Sequence, residues 1–175
     1  MVGHSPARWG WYRLADPFAQ ALVDRANVGA GDLILDLGAG DGAITRPLAA
    51  TGGRVIAFEL HPERVRRLRS ELAGANVKVV RADIAELWLP GRPFHVVANP
   101  PFDGVSPLLR RLTGPGSRLV RAELVLPSST AHRWATRADA RRLAFRFRSI
   151  DRLPRSAFSP RPRIDCCTVT IERRS

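Results

Sequence analysis

I-L-D-L-G-A-G-D-G-A-I-T, residues 34–45, runs from an apolar stretch through a glycine-rich turn into a segment of helical character. Leu33 to Leu37 is a short apolar run of the kind that fills the middle of a parallel sheet. Gly38, Gly40 and Gly42 remove the side chains that would keep a ligand from the backbone, and the helix that follows aims its N-terminal N–H groups at the same space. By spacing alone, Gly38-x-Gly40-x-x-Ala43 also fits a dinucleotide fingerprint, whose third position tolerates alanine. Asp36 tips the choice, because a carboxylate inside the strand end repels a pyrophosphate and suits a cofactor with a cationic amino-acid end. S-adenosylmethionine is such a cofactor.

Working outward, Asp16 is a good N-cap with Pro17 behind it, and Phe18, Ala21, Leu22 and Ala26 space an amphipathic helix that ends at Gly29-Ala30-Gly31. Beyond the glycine turn, Ala43 to Ala50 reads as a helix and Val55 to Leu60 as a second strand bearing Glu59. Pro62 opens a helix to about Ala73, with Arg64, Arg66, Arg67 and Arg69 mostly on its solvated face. Val77 to Val80, running to Asp83, Phe94 to Ala98, running to Asn99-Pro100-Pro101-Phe102, and Ala122 to Leu126 are three further strands. Strands alternating with helices predict an α/β, doubly wound, mainly parallel sheet, in which ligands sit at the carboxyl ends of the strands. Phe145 to Ile150 and Cys166 to Ile171 alternate like paired strands around a proline-rich loop, which predicts a C-terminal antiparallel hairpin completing the sheet edge.

At 175 residues, with no repeat, linker or composition break, the chain is expected to be one domain. Its 45% hydrophobic content excludes a disordered protein. No apolar run approaches the roughly 20 residues that span a bilayer, and Trp, Arg and Pro interrupt Met1 to Asp16 where a signal peptide needs an apolar core. A cytoplasmic, monomeric protein without membrane contact is expected. Cys166 and Cys167 are sequence neighbours, which suits neither an ordinary disulfide nor a metal site, and no metal is expected. Lys+Arg number 28 against 16 Asp+Glu, a net charge of +12, and Lys78 is the only lysine. A GC-rich genome explains arginine over lysine but not the excess over acids, so a nucleic-acid partner is expected. Arg8, Trp9, Trp11, Tyr12 and Arg13 interleave aromatics with cations, a pattern that either stacks bases and grips phosphates or packs as a lid.

Four strand ends carry a constellation. Glu59 follows Asp36 by about twenty residues, the spacing at which an acid on the second strand accepts both ribose hydroxyls. Asp83 is placed to accept from the cofactor's exocyclic adenine amine. Asn99-Pro100-Pro101-Phe102 points to the reaction class. An adenine N6 amine is a poor nucleophile because its lone pair is delocalised into the ring. An amide oxygen from Asn99 and the carbonyl of Pro100 would accept its two hydrogens, and proline holds these acceptors rigid. Phe102 would stack the base, which must leave its helix or loop to reach the pocket.

With Asp36-Leu37-Gly38-Ala39-Gly40-Asp41-Gly42, Glu59, Arg81-Ala82-Asp83, Asn99-Pro100-Pro101-Phe102 and Phe158-Ser159-Pro160-Arg161-Pro162-Arg163-Ile164-Asp165, the chain resembles the erythromycin-resistance family of ribosomal RNA adenine-N6 methyltransferases. The resemblance covers nearly the whole chain and implies a class I, Rossmann-like S-adenosylmethionine-dependent methyltransferase. It implies cofactor contacts from Asp36, Gly38, Gly40, Glu59, Asp83 and Asn99. Asn99 and Pro100 would be catalytic, with Phe102 and Phe158 as the two walls of an aromatic sandwich around the flipped adenine. The substrate implied is 23S rRNA, free or in a ribosomal precursor, and the outcome is macrolide-lincosamide-streptogramin resistance.

Two departures stand out. Gly10-Trp11-Tyr12 occupies the place where the family presents a Gln-Asn or Gln-His pair followed by an aromatic. Second, most members carry a C-terminal helical domain that holds RNA, and this chain, which resembles the short actinobacterial members, is expected to lack it. The arginine-rich second half, Arg141 and Arg142 included, and the tip bearing Arg8, Trp9 and Arg13 are expected to substitute for it. The rivals are a small-subunit (16S) rRNA dimethyltransferase, a DNA adenine methyltransferase, a non-catalytic ribosome-assembly factor and a nicotinamide-dependent oxidoreductase. Retention of Asn99 and Phe102 argues against the assembly factor, and Asp36 against the oxidoreductase.

Overall fold

The fold is organised by a seven-stranded sheet seen in a computed structural model, which describes residues 11–137 and 144–174. Strand β1 (Arg13–Leu14) precedes helix α1 (Asp16–Ala26), and β2 (Leu33–Leu37) leads through the glycine turn to α2 (Thr45–Ala49). β3 (Arg54–Glu59), α3 (Pro62–Glu71) and β4 (Val77–Arg81) follow, then a 3-10 turn at Ile84–Glu86 and β5 (Phe94–Ala98). The chain continues through α4 (Val105–Leu112), β6 (Leu119–Pro127), α5 (Ser128–Thr136), β7 (Phe145–Leu153), β8 (Phe158–Ser159) and β9 (Cys166–Arg173).

The order across the main sheet is β4-β3-β2-β5-β6-β9-β7. The first five strands are parallel, and β9 runs antiparallel to both β6 and β7. All five residues of β2 are buried, because the strand is central and helices cover both faces of the sheet. Ile34, Val55, Val97 and Val125 pack against Leu22 and Ala26 of α1 and Leu48 of α2, while Leu35, Val96 and Leu124 pack toward Leu109 of α4 and Trp134 of α5. The mixed α/β sheet with a C-terminal antiparallel hairpin completing its edge agrees with the sequence expectation. β7 forms the edge, and β9 lies between it and β6.

Local corrections have local causes. Asp16 is not the N-cap of α1; Ala15 is, without a side-chain cap. Asp16 enters the first turn, and its carboxylate pairs instead with Arg13 at 2.5 Å. The buried face is Ala19, Leu22, Val23 and Ala26, and Ala21 is exposed. The helix stops before the glycines, because Asn27 takes the left-handed conformation at φ 49° and closes it. α2 is shorter than expected at five residues. Cys166 and Cys167 are buried free thiols, and among the described residues no helix is long and apolar enough to cross a membrane.

A second, two-stranded antiparallel sheet joins the start of the described chain to its last third: Arg13 pairs with Ser159 and Leu14 with Phe158. This small sheet lays Trp11 and Tyr12 over the carboxyl ends of the central strands, beside the glycine turn.

Candidate active site

The turn after β2 is held by its neighbours. Ideal β-carbons placed on its glycines would meet Pro101 Cδ at 2.9 Å from Gly38, Trp11 Nε1 at 2.3 Å from Gly40 and Leu68 Cδ2 at 2.6 Å from Gly42, and all three have positive φ. The missing side chains therefore first make room for three other segments of the protein, which is a different reason from ligand approach alone. Beneath the turn, Asp36 is buried, and the Thr45 hydroxyl donates to its Oδ2 at 2.6 Å. Burial pushes the Asp36 carboxyl up to about 7; the Thr45 hydrogen bond pulls it down and the nearby Glu59 charge pushes it up further.

Glu59 closes β3 with both oxygens engaged by backbone: Gly40 N–H donates to Oε2 at 2.7 Å and His61 N–H to Oε1 at 2.8 Å. Each oxygen keeps a lone pair, so the carboxylate is fixed in orientation and still able to accept from a pair of hydroxyls. It borders an open cavity whose apolar walls include Phe58, Leu60 and Ile84. Asp83 lies on the rim of the same cavity, with Oδ1 capping the 3-10 turn through Ala85 N–H at 2.8 Å. Trp11 forms the wall above Gly40, and the Arg64 guanidinium lies 4.0 Å over its ring. A slot with apolar faces, two locked acceptors and an acid at its end fits an adenosine.

Asn99 stands in an adjoining cavity with Asp36, Ala39 and Tyr12. Its Nδ2 donates to the Tyr12 carbonyl at 2.6 Å. A carbonyl only accepts, so this contact assigns the amide orientation and turns Oδ1 away from Tyr12. Oδ1 is buried and has no hydrogen-bond partner among the described residues. An unpaired buried acceptor costs free energy, on the order of 1–3 kcal/mol, and such groups are rare unless a ligand completes them. Pro100 is buried, Pro101 packs on Gly38, and the half-buried Phe102 ring is stacked on Tyr12 with centroids 5.2 Å apart at 28°.

The structure thus gathers Asp36, Gly38, Glu59, Asp83 and Asn99 around two adjoining cavities, with Gly40 beneath Trp11. Phe158 is placed differently from Phe102: it is 4% exposed, inside the apolar cluster against which Tyr12 and Phe102 pack. Arg13 is committed to Asp41 at 2.6 Å and Asp16 at 2.5 Å, which raises its pKa, chiefly through the Asp41 hydrogen bond. Within the chain its guanidinium ties Asp41 of the glycine turn to Asp16 in the first turn of α1. Arg8, Trp9, Arg141 and Arg142 lie outside the described residues. Sequence reasoning missed Thr45, Asp41 and the Tyr12 carbonyl. Thr45 could have been found as the hydroxyl nearest the turn, but no pattern marks a backbone carbonyl from the far end of the chain.

Comparisons with known proteins bear on this geometry. The family described as Ribosomal RNA adenine dimethylase matches residues 14–175. The mycinamicin-resistance protein MyrB of Micromonospora griseorubida is 39% identical over 147 residues, covering 81% of this chain and 47% of that protein. An rRNA adenine N-6-methyltransferase of Bacillus licheniformis is 31% identical over 89% of this chain and 57% of its own length. The chain thus spans about half the length of these curated relatives. Among solved structures, the 23S rRNA methyltransferase ErmE superposes with a TM-score of 0.82 at 23% identity, over 91% of this chain and 68% of that one. A dimethyladenosine transferase from Plasmodium falciparum superposes with 0.79 at 20% identity, over 92% and 63%. At those identities the likeness establishes the methyltransferase fold.

Proposed function

This chain belongs to the ribosomal RNA adenine dimethylase family, and from that premise we propose that it methylates N6 of an adenine in 23S rRNA, in the manner that confers macrolide-type resistance. The observation that carries the reading is the buried, unpaired Oδ1 of Asn99, aimed by the bond from its own amide nitrogen to Tyr12. A target adenine amine would satisfy that oxygen with one hydrogen and the Pro100 carbonyl with the other. Both hydrogen bonds strengthen as the nitrogen becomes tetrahedral and gains positive charge, which is the condition for transition-state stabilisation. The proline pair and the Tyr12 contact fix the acceptors in advance, so little reorganisation is left for the reacting complex. S-adenosylmethionine, when bound, supplies a methyl group on a sulfonium. Glu59 would hold its ribose hydroxyls, Asp83 its adenine amine, and Asp36 the region of its cationic end. Trp11 and Gly38 line both cavities, and Pro101 packs on Gly38.

The 23S assignment draws on the relative named for mycinamicin resistance. A small-subunit methyltransferase of Thermococcus onnurineus is 30% identical over 92% of this chain, so 16S RNA is the reading to exclude. The net charge of +12 supports an RNA partner in either case. The test is methyl incorporation from labelled S-adenosylmethionine into purified 23S and 16S rRNA, by the unmodified protein and by Asn99→Ala. Label at adenine N6 of 23S, falling by about 100-fold or more in the variant, is the expected result. Label confined to 16S would overturn the resistance assignment, and equal labelling by the variant would overturn the role of Asn99.

A further inference from the structure

We propose that Trp88 is a stacking platform for a base of the RNA strand that flanks the target adenine, set on a cationic face beside the candidate active site. The inference rests on the RNA-methylation reading above and adds a contact outside the two cavities.

Trp88 is 90% exposed, and the next large apolar side chain among the described residues, Ile164, reaches 45%. This exposure is built in. Both chain neighbours face inward: Leu87 is 6% exposed in the main core, and Leu89 packs against that core. Asp83 caps the start of the loop through the Ala85 N–H at 2.8 Å, and the Arg111 guanidinium of α4 donates to the carbonyls of Ala85 and Leu87. Pro90 and Pro93 restrict the remainder. The indole is therefore held out in water on a fixed support and forgoes the stabilisation that burial would give. A partner that stacks on it has little loop to order.

The surroundings name the partner. Arg54, Lys78, Arg92, Arg110 and Arg118 are exposed, and among the described residues none of their side chains has an ion-pair or hydrogen-bond partner. Arg54 and Lys78 alternate with Ile56 and Val80, which pack against the core that buries Leu87, so both lie on the face that the loop crosses. Arg110 belongs to α4 on the same face, and Arg92 and Arg118 stand where the loop enters β5, the Phe94 N–H donating to the Arg118 carbonyl at 3.2 Å. From Ile84 to Pro93 the only acid is Glu86. A protein interface surrounds an exposed indole with further apolar surface, whereas a lone ring among unpaired cations matches a single strand, whose bases stack and whose phosphates pair. The loop also leads to the site. It leaves Asp83 at the cavity rim, and its anchor Arg111 lies about 9 Å along α4 from Val105, in the helix that follows the turn at residues 99–102. About three stacked nucleotides, at about 3.4 Å each, cover that distance.

The experiment measures binding of purified 23S rRNA across a series of salt concentrations for the unmodified protein, Trp88→Ala, Trp88→Phe and the double variant Lys78→Gln/Arg92→Gln, with thermal midpoints, sedimentation and methyl-transfer kinetics for each. Trp88→Ala is expected to weaken RNA binding about tenfold and to raise KM for RNA, with kcat and thermal midpoint close to the parent's; Trp88→Phe recovers most of the loss. Stacking is not ionic, so Trp88→Ala keeps the parent's salt slope, whereas the double variant lowers it by about 1.4, roughly 0.7 for each cation on a single strand. RNA affinity of Trp88→Ala equal to the parent's would overturn the proposal, as would equal weakness of the alanine and phenylalanine variants. A parent that self-associates through Trp88, with RNA affinity untouched by its loss, would assign the ring to a second copy of the chain and overturn the proposal too. The binding readout needs no methyl transfer: a parent that binds RNA through Trp88 yet methylates neither 23S nor 16S rRNA would overturn the proposed function and leave the contact standing.

Discussion

Asp36→Asn should stabilise the protein above neutral pH. The carboxyl is buried beside Glu59, and loss of hydration, with the Glu59 charge added, pushes its pKa from the ordinary 3.8 up to about 7. A gap of roughly three units, at about 1.4 kcal/mol each, means that ionised Asp36 costs the native state on the order of 4 kcal/mol. The group is fully enclosed, so no solvent screening reduces the figure. The native state binds this proton more tightly than the unfolded chain does. The Asp36 contribution to stability therefore falls as pH rises from about 4 to about 7 and stays at its lowest above that. Asparagine is isosteric, keeps an oxygen for the Thr45 hydroxyl and carries no charge. The variant should exceed the parent by about 4 kcal/mol at pH 8, with the difference vanishing near pH 4. Urea unfolding of both proteins at a series of pH values measures it, because other titrating groups cancel in the difference. A variant less stable than the parent at pH 8, or an offset independent of pH, would refute the reasoning. The retained charge has a use in the proposed chemistry: a cationic ligand end near Asp36 would favour its ionised form. Cofactor affinity of the parent should then weaken as pH drops through 7, and that of Asp36→Asn should be weaker and flat.

Gly40→Ala would place a methyl group 2.3 Å from Trp11 Nε1 at a φ of +59°. It should displace the indole and weaken cofactor binding by about tenfold, measured by equilibrium dialysis; the loss should shrink in a Trp11→Ala background, and strict additivity of the two changes would count against the contact. Arg13→Gln breaks two half-exposed ion pairs, to Asp41 and Asp16, and should cost about 1 kcal/mol, less at high salt. RNA affinity should be unchanged, and a weaker, less salt-dependent RNA affinity in this variant would return Arg13 to the RNA interface.

The parallel half of the sheet was legible because its signals are local. β2 reads as an unbroken apolar run since both its faces are covered, and Glu59 and Asn99 follow β3 and β5 at the strand ends where ligands collect. The spacing of Glu59 from Asp36 points to ribose hydroxyls, yet spacing carries no sign of the Gly40 and His61 N–H groups that orient it. β9 and β7 were visible as alternating partners, but an alternation pattern does not say which strand meets β6. The largest omissions are non-local. A two-residue strand has no period to detect, and the pairing of Leu14 with Phe158 crosses most of the chain. The contacts that depend on it, Tyr12 with Asn99 and Trp11 on Gly40, were therefore hidden, and the aromatics Trp11 and Tyr12 could be seen only as a lid or a stacking surface.

That small sheet also sets a clock. During synthesis, Tyr12 emerges first, the glycine turn and Asn99 follow, and the partner of β1 comes only with Phe158 and Ser159. Closing so long a loop is slow and rewards nothing until its last segment is available. Glu59 and Asp83 follow early strands, whereas Trp11 and Tyr12, which wall the two cavities, wait for β8 to brace β1. A nascent chain would thus carry the acids of the cleft before the aromatic cover that closes both cavities. For a protein whose proposed substrate is part of the machine that makes it, the site is completed only after most of the chain has been made.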